Sequence, residues 1–594
     1  MQWWPIFRCW PKSKEGEARV ALHRQSKRSR VFGLLGLVVA VATYAGLSFY
    51  QINLPGLHYD EAFEAVPALQ LLRRQPVTPF RNAGLSVGQQ RLPLMAQDYI
   101  GALNTYLAIP FIAGLGATPV AIRAQSILIG IATLALTYGL AYRLTNNHWV
   151  GLAAALILAV EPTFVFWNRQ GIFVTAVTAT IGLGATYCWL RRLQTGLPWW
   201  STTGAFLFGL GLYAKLLFLW LIVALVGAVI LLNLSRLIGQ RTSRLGRFRR
   251  LSRAEIIAML LAFLLGCWPL IVYNVQTQGT FLSVAQNAST SYYGVNNLAW
   301  GENFLERMHQ FKTLLSGRHL WYLGEAIGSI LVPLLFGLVF FIVIILTTRN
   351  LLLSPLHPIS RPNEPGALSP TSIALFPYLV IGLVIIASIG TVSALWITHF
   401  AILMPWPALA IAIGGWYISL NLEAISLKSV IPYKIAIWIG LVLVCLANLL
   451  TTVRYHAALT ESGGLSSHSD AIYDLSAWLA RNAGGHVVAM DWGLAAPVTY
   501  LTQGQVIIAE IFGYEWIPDV ELMNRLRDSM TQPDTLYLWR APDEIIFDRS
   551  LEFKALYGPL NLEENIEEAF YEKSGRPILG VTRLVEKGTA TNPP

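Results

Sequence analysis

Charge is what this chain has least of. Asp, Glu, Lys and Arg make up 13% of its 594 residues, against 54% hydrophobic residues and a mean hydropathy of +0.51. A soluble globular protein has no use for so much apolar surface, so that class is excluded. Cysteine is scarce too: Cys9, Cys188, Cys267 and Cys445 stand far apart, with no Cys-x-x-Cys or Cys/His spacing. Neither a disulfide framework nor a structural zinc site is indicated. No internal repeat is visible, which removes support for the inverted-repeat architecture of secondary transporters. The formal charge of +10 does not point to nucleic acid, because the basic residues gather at the ends of apolar runs.

Those runs are what the chain does have. Several, each of about 20 residues, match the ~30 Å hydrocarbon core of a bilayer. The fold class expected is therefore an α-helical polytopic membrane protein. Residues 1–30 form a basic segment ending in Lys27-Arg28-Ser29-Arg30, followed by the first apolar run, Val31 to Tyr50. That run is too long for a signal peptide and lacks a small-residue cleavage site, so it reads as an uncleaved helix with a cytoplasmic N-terminus. Residues 51–118 form an external segment, with a short helix expected at Leu69 to Arg74. Tyr99 to Gly116 is apolar but short and contains Pro110; it either spans or lies at the interface.

With the interfacial option, spans follow at 119–142, 149–167, 171–190, 200–214, 216–235, 255–275, 326–347, 373–392, 395–418 and 433–453, about eleven in all with the first. Arg143, Arg191-Arg192, the Arg-rich run from Arg236 to Arg253, Arg349, Arg361, Lys428 and Lys434 then fall inside, as the positive-inside rule asks. Pro355, Pro358, Pro362, Pro365 and Pro370 mark 348–372 as a cytoplasmic loop. Residues 276–325 make an external loop whose Tyr292, Tyr293, Trp300, Trp321 and Tyr322 suit interface anchoring or, less commonly, stacking on sugars. Residues 31–453 thus form the membrane domain. Residues 454–594 read as a small extracytoplasmic α/β domain, with a helix at Tyr473 to Asn482 and strands at Val487–Met490, Val506–Ile511 and Leu536–Leu538. This tail shows no phosphate loop or catalytic-triad spacing.

Chemistry-bearing residues collect at one membrane face. Leu57-His58-Tyr59-Asp60-Glu61-Ala62-Phe63-Glu64 follows the first span and sets an Asp-Glu pair beside a histidine. Alone, such a pair is usually a solvated loop feature. Arg123 opens one helix, Arg169 follows Glu161 through Asn168, Lys215 interrupts two apolar runs, and His399 lies near the outer end of a late span. A single such cation is ordinarily snorkelling. Together beside two carboxylates, they suit a polyanion such as a lipid phosphate or diphosphate.

The order of these features resembles the GT-C superfamily of membrane glycosyltransferases, in its protein O-mannosyltransferase and lipid A aminoarabinose transferase branch. The resemblance is carried by His58-Tyr59-Asp60-Glu61-Ala62, Gly101-Ala102-Leu103 with Tyr106 and Pro110, Gly116 and Arg123, and Pro162 through Arg169. Gly209 through Lys215 and Thr398-His399-Phe400 with Pro405 complete it, over roughly residues 30–415. It implies a sugar donor on a polyprenyl phosphate and direct transfer with inversion to an extracytoplasmic acceptor: protein, lipid or cell-surface glycan. Asp60 would be the base, and Glu61 would help hold the acceptor. Arg123, Arg169, Lys215 and His399 would bind the donor phosphate, and His58, Tyr59 and Tyr99 would contact sugar or acceptor. Some branches use a divalent cation, for which His58, Asp60 and Glu61 are the candidate ligands. Two positions depart from the pattern: Val174-Thr175 stands where many members carry an Asp, and His399-Phe400 where an Arg beside a Tyr is common. The implied location is a plasma (inner) membrane. The alternatives are a polytopic transporter or lipid flippase, and a non-catalytic scaffold.

Overall fold

The structure is a computed structural model that describes residues 14–239, 251–353, 368–390, 397–424 and 431–588. Cys9, most of the Arg-rich run, the proline-rich part of the 348–372 loop with Arg361, and Lys428 lie outside the described residues. Each of the eleven expected spans overlaps a helical segment among the described residues. The first is α1 (Lys14–Phe49). Next come α4 (Pro119–Thr145), the pair α5 (His148–Ala159) and α6 (Pro162–Gln170), α7 (Thr175–Thr195), α8 (Pro198–Ala214), α9 (Leu219–Gly239) and α10 (Arg253–Thr277). After α11 (Gly279–Gln286) and α12 (Trp300–Ser316), the bundle closes with α13 (Leu331–Leu353), α14 (Pro370–Ala387), α15 (Pro405–Ala424) and α16 (Ile431–Ser462).

Length and apolarity alone qualify seven of these helices as spans, or nine when each of two bent pairs counts once. Eleven is thus the number of segments; α8 is only 17 residues long, and α7 carries Arg191 and Arg192. The chain is a multi-pass membrane protein. Of the bent pairs, α5 and α6 meet at 67°. The break has a local cause: Pro162 cannot donate into a continuing helix, and Glu161 caps α6 by accepting from the N–H groups of Thr163 and Phe164.

One expectation is corrected between the first two spans. The short helix at Leu69 to Arg74 is the end of a longer one, α2 (Tyr59–Leu72), which begins on the Asp-Glu pair itself. Pro67 inside it hides the periodicity. After it come two hairpins, β1 (Gly84–Val87) with β2 (Gln90–Pro93) and β3 (Met95–Gln97) with β4 (Ile100–Gly101), and then α3 (Leu103–Leu115). At 13 residues α3 is about 20 Å long, too short to cross a bilayer.

The last membrane helix runs on to Ser462, beyond the 453 expected. Past it stands a five-stranded sheet in the order β6-β5-β7-β9-β8. β5 (Val487–Ala489) pairs in parallel with β6 (Ile508–Glu510) and β7 (Leu536–Arg540), close to the expected strands. The antiparallel hairpin β8 (Leu562–Tyr571) and β9 (Pro577–Glu586) was not foreseen; Glu-rich β8 lacks an apolar alternation. α17 (Ala471–Asn482) covers one side of the sheet, and α18 (Ala495–Leu501) leaves it to pack on α2. Ala496 and Tyr500 join Leu57, Tyr59, Ala62, Ala65 and Leu69 in one buried cluster. Tyr500 donates to the Thr118 carbonyl at 3.1 Å, and Tyr473 to that of Asn53 at 2.6 Å. The C-terminal unit therefore rests on the segment that carries the Asp-Glu pair.

Candidate active site

The fold brings six predicted residues together. Asp60 and Glu61 follow the end of α1, and Arg123 lies in the first turns of α4. Arg169 ends α6, Lys215 caps α8, and His399 lies in the short turn Ile397–Leu403 that leads into α15.

The Asp-Glu pair is not a solvated loop. His58 caps α2: its Nδ1 accepts from the Asp60 N–H at 3.2 Å, while Glu61 reaches back to the His58 N–H at 3.4 Å. This reciprocal box satisfies otherwise orphaned donors and puts both acids at the positive end of the helix dipole. From there the two diverge. Glu61 is buried and accepts a bidentate fork from Arg123, at 2.8 and 2.9 Å, and a third bond from Gln170 at 3.2 Å. Tyr322 donates to Gln170 at 2.7 Å, closing the network. Asp60 points elsewhere, with 21% of its side chain exposed. Surrounding protein and the neighbouring Glu61 charge push its carboxyl up to about 7, against the opposing pull of Lys215.

Arg123 and Arg169 are both wholly buried and occupied. Arg123 also donates to the Ile52 carbonyl at 2.8 Å. Arg169 donates to the carbonyls of Ser48 and Tyr50, at 3.3 and 3.0 Å, and to that of Leu54, with its guanidinium over the Phe166 ring. These arginines fasten the chain from the end of α1 to α2. From sequence both read as donor-phosphate ligands; these N–H groups are bonded within the protein, and Nε of Arg169 has no partner among the described residues. Their burial is absent from the pattern of charges along the chain.

Lys215 and His399 differ from them. Both line a cleft with Thr175, Thr178, Thr398 and Phe218. Lys215 is held by its backbone, which bridges to Ile100 while Leu216 N–H donates to the Tyr99 carbonyl at 2.9 Å. Gly101 permits this approach, since a Cβ there would lie 2.3 Å from the Tyr213 carbonyl oxygen. Burial lowers the Lys215 ammonium to about 8, against the pull of Glu64 and Asp60. Among the described residues neither acid closes an ion pair on it within salt-bridge distance. Tyr99 is half-buried close to Asp60 and Tyr293. Tyr59 packs on Trp492 and meets Tyr514 of the C-terminal unit, hydroxyl to hydroxyl, at 3.2 Å.

His58 ends a stack: its ring lies 4.1 Å from His468, which lies 4.0 Å from Tyr322. Burial drives the His58 imidazole down to about 3, so it is neutral. A divalent ion at His58, Asp60 and Glu61 does not fit this arrangement. Glu61 is spent on Arg123 and Gln170, and the Nδ1 of His58 accepts a backbone N–H. Among the described residues no three His, Cys, Asp or Glu side chains stand close enough to hold a metal.

Three buried residues escaped the sequence reading. Gln170 and Tyr322 complete the Glu61 network. Glu64 sits one turn beyond Asp60, bonded to Asn104 Nδ2 at 2.8 Å. Its signal was legible as the i, i+4 spacing of Asp60 and Glu64, once a helix from Tyr59 is recognised.

Residues 103–251 match the family described as dolichyl-phosphate-mannose-protein mannosyltransferase. No curated protein sequence matches the chain. Among solved structures it is similar to ArnT from Cupriavidus metallidurans bound to undecaprenyl phosphate, at 10% identity and a TM-score of 0.56, over 94% of this chain and 99% of that one. The same protein in the apo state gives 10% identity and a TM-score of 0.57, over 93% and 98%. At this identity the similarity speaks for the fold, and it extends through the C-terminal unit. The chain thus shares the fold of this membrane protein over nearly its whole length, and residues 103–251 carry the mannosyltransferase family match.

Proposed function

We propose that this protein transfers a sugar from a polyprenyl-phosphate donor to an acceptor on the outer side of a plasma membrane. The observation that carries the reading is the placement of Asp60 and Lys215. An incompletely buried carboxylate and a cleft-lining ammonium share one end of a GT-C fold, and neither is closed into an ion pair with the other. The similarity to a structure holding undecaprenyl phosphate supports the donor class.

In this reading Asp60 takes the proton of the acceptor hydroxyl. The acceptor oxygen forms its bond to the anomeric carbon from the face opposite the phosphate, and the carbon–oxygen bond to the phosphate breaks. The electron pair leaves with the prenyl phosphate, so the configuration inverts. Lys215 offsets the charge that develops on the departing phosphate, and His399 lines the same cleft. Arg123 and Arg169 are positioning residues that hold the Asp60 turn. The aromatic side chains of Tyr59, Tyr99, Tyr293 and Tyr514 surround the approach to Asp60 and suit contact with a sugar or glycan. The basic N-terminus is cytoplasmic, and the C-terminal unit, on the Asp60 side, is extracytoplasmic.

The test is transfer of labelled sugar from a panel of polyprenyl-phosphate donors, in membranes with wild type or Asp60→Asn. Asp60-dependent labelling is the result expected, and the labelled product identifies the acceptor. No transfer from any donor, with the protein correctly inserted, contradicts the reading.

A further inference from the structure

Behind Asp60 lies a second acid that the proposed reaction does not use. Glu64 follows one helical turn later, so both carboxyl groups leave the same face of α2. Its side chain is only 4% exposed. One carboxyl oxygen accepts from Asn104, the Val174 backbone N–H also acts on the carboxyl, and buried Oε1 has no partner in good hydrogen-bond geometry among the described residues. Native proteins rarely leave such an atom unsatisfied without a use for it. Asn104 is itself fixed by a second bond, to the Gly171 carbonyl at 3.1 Å. The same short stretch of chain also anchors Lys215, through its backbone bridge to Ile100. Of the charges that act on the Lys215 ammonium, that of Glu64 is the largest and that of Asp60 the second.

Beside this group Val174 adopts φ +56°, a conformation that a β-branched residue takes only when its surroundings impose it. The strain lies where the chain turns from α6 into α7 past the Glu64 carboxyl, and Thr175, the next residue, lines the cleft with Lys215.

We propose that Glu64 is a positioning residue which acts through Lys215, keeping that ammonium charged and aimed into the cleft where the donor phosphate departs. The proposal rests on the functional reading above. Glu64 is enclosed and does not touch the donor; its effect passes through the lysine. The ionisable groups facing the pair are Asp60 from α2, Tyr213 from α8, Tyr99 beside Asp60, and His399 across the cleft. Burial pushes Glu64 up to about 8. At neutral pH it therefore carries its proton, and Gln imitates it. As pH rises Glu64 ionises, and its new charge holds the proton on Lys215. Gln cannot do this.

The test reads Lys215 directly, in full-length membrane-inserted protein, by the pH dependence of its acylation with a small amine-reactive reagent and mass spectrometry. Glu64→Gln is expected to lower the midpoint of Lys215 deprotonation by about one pH unit. In the transfer assay the same variant should match wild type only on the acidic side and lose activity earlier as pH rises, from about pH 7 upward. An unmoved acylation midpoint overturns the proposal, as does a loss of transfer that is uniform at all pH values. Should Glu64→Gln fail to insert, Asn104→Ala, which frees the carboxyl from its one side-chain bond, should move the midpoint instead; no movement there also overturns it. Because the acylation midpoint needs no donor, a shift accompanied by absent wild-type transfer would contradict the functional reading while sustaining the Glu64–Lys215 coupling.

Discussion

Among the described residues two bidentate arginine–glutamate pairs are buried, one at each end of the bundle. Glu61 and Arg123 form the first. At the opposite end Arg192 grips Glu255 at 2.5 and 2.8 Å, and Ser201 donates to the same carboxylate at 2.5 Å. Thr175 beside the cleft and Arg192 open and close α7, about 25 Å apart along the helix. The pairs are alike in burial and fork geometry. They differ in their surroundings: next to Glu61 stand Asp60, Glu64 and Lys215, whereas the Arg192–Glu255 pair is complete in itself. A buried ion pair is thus a fastening at either end, and chemistry is to be sought in the ionisable groups left over beside it.

The comparison is broken most severely at Asp60. Asp60→Asn should lower kcat by about 10²–10⁴-fold, the usual worth of a general base, with insertion unchanged. Quantified transfer per inserted protein checks this, and near-normal turnover would remove Asp60 from the mechanism. Arg123→Ala strands Glu61 without its counter-charge and should cost about 3–5 kcal/mol of stability. Glu255→Ala should cost a similar amount, but protein surviving that change should keep its kcat/KM, whereas surviving Arg123→Ala should not. Thermal unfolding in detergent, paired with the transfer assay, separates the two ends.

A smaller effect is expected at Lys215. Lys215→Ala removes a charge-assisted contact worth about 1.5–3 kcal/mol, which should raise the donor KM roughly 10- to 100-fold. Unchanged donor affinity would mean that this lysine only fills the interface. The smallest effect belongs to Tyr514→Phe, which loses the Tyr59 and Glu510 hydroxyl contacts at the mouth of the site and should change acceptor KM by no more than about tenfold.

Apolar runs and basic flanks made the order of membrane segments legible, because a bilayer imposes its thickness on the sequence. That Asp60, Arg123, Arg169, Lys215 and His399 come together was expected from the order of those segments. What the sequence could not reveal is which of these charges have partners. Glu61 meets Arg123 across 62 positions, and Gln170 across 109, and no local pattern encodes such contacts. The arginines accordingly read as phosphate ligands, and their bonds to Glu61 and to backbone carbonyls were not legible. Glu64 stayed hidden because Pro67 disguised its helix, and the β8–β9 hairpin because charged residues replace an alternating apolar face.

The most direct test of the account is the pH dependence of labelled-sugar transfer. A base acts only when deprotonated, and Asp60 sits near 7, above the usual carboxylate range. Lys215, near 8, holds the phosphate only while protonated. Activity should therefore fall below about pH 7 and again above about pH 8, giving a bell whose acidic limb is missing from the residual activity of Asp60→Asn. A flat profile in wild type, or an acidic limb that persists without the Asp60 carboxylate, would contradict the assignment of Asp60 as the base.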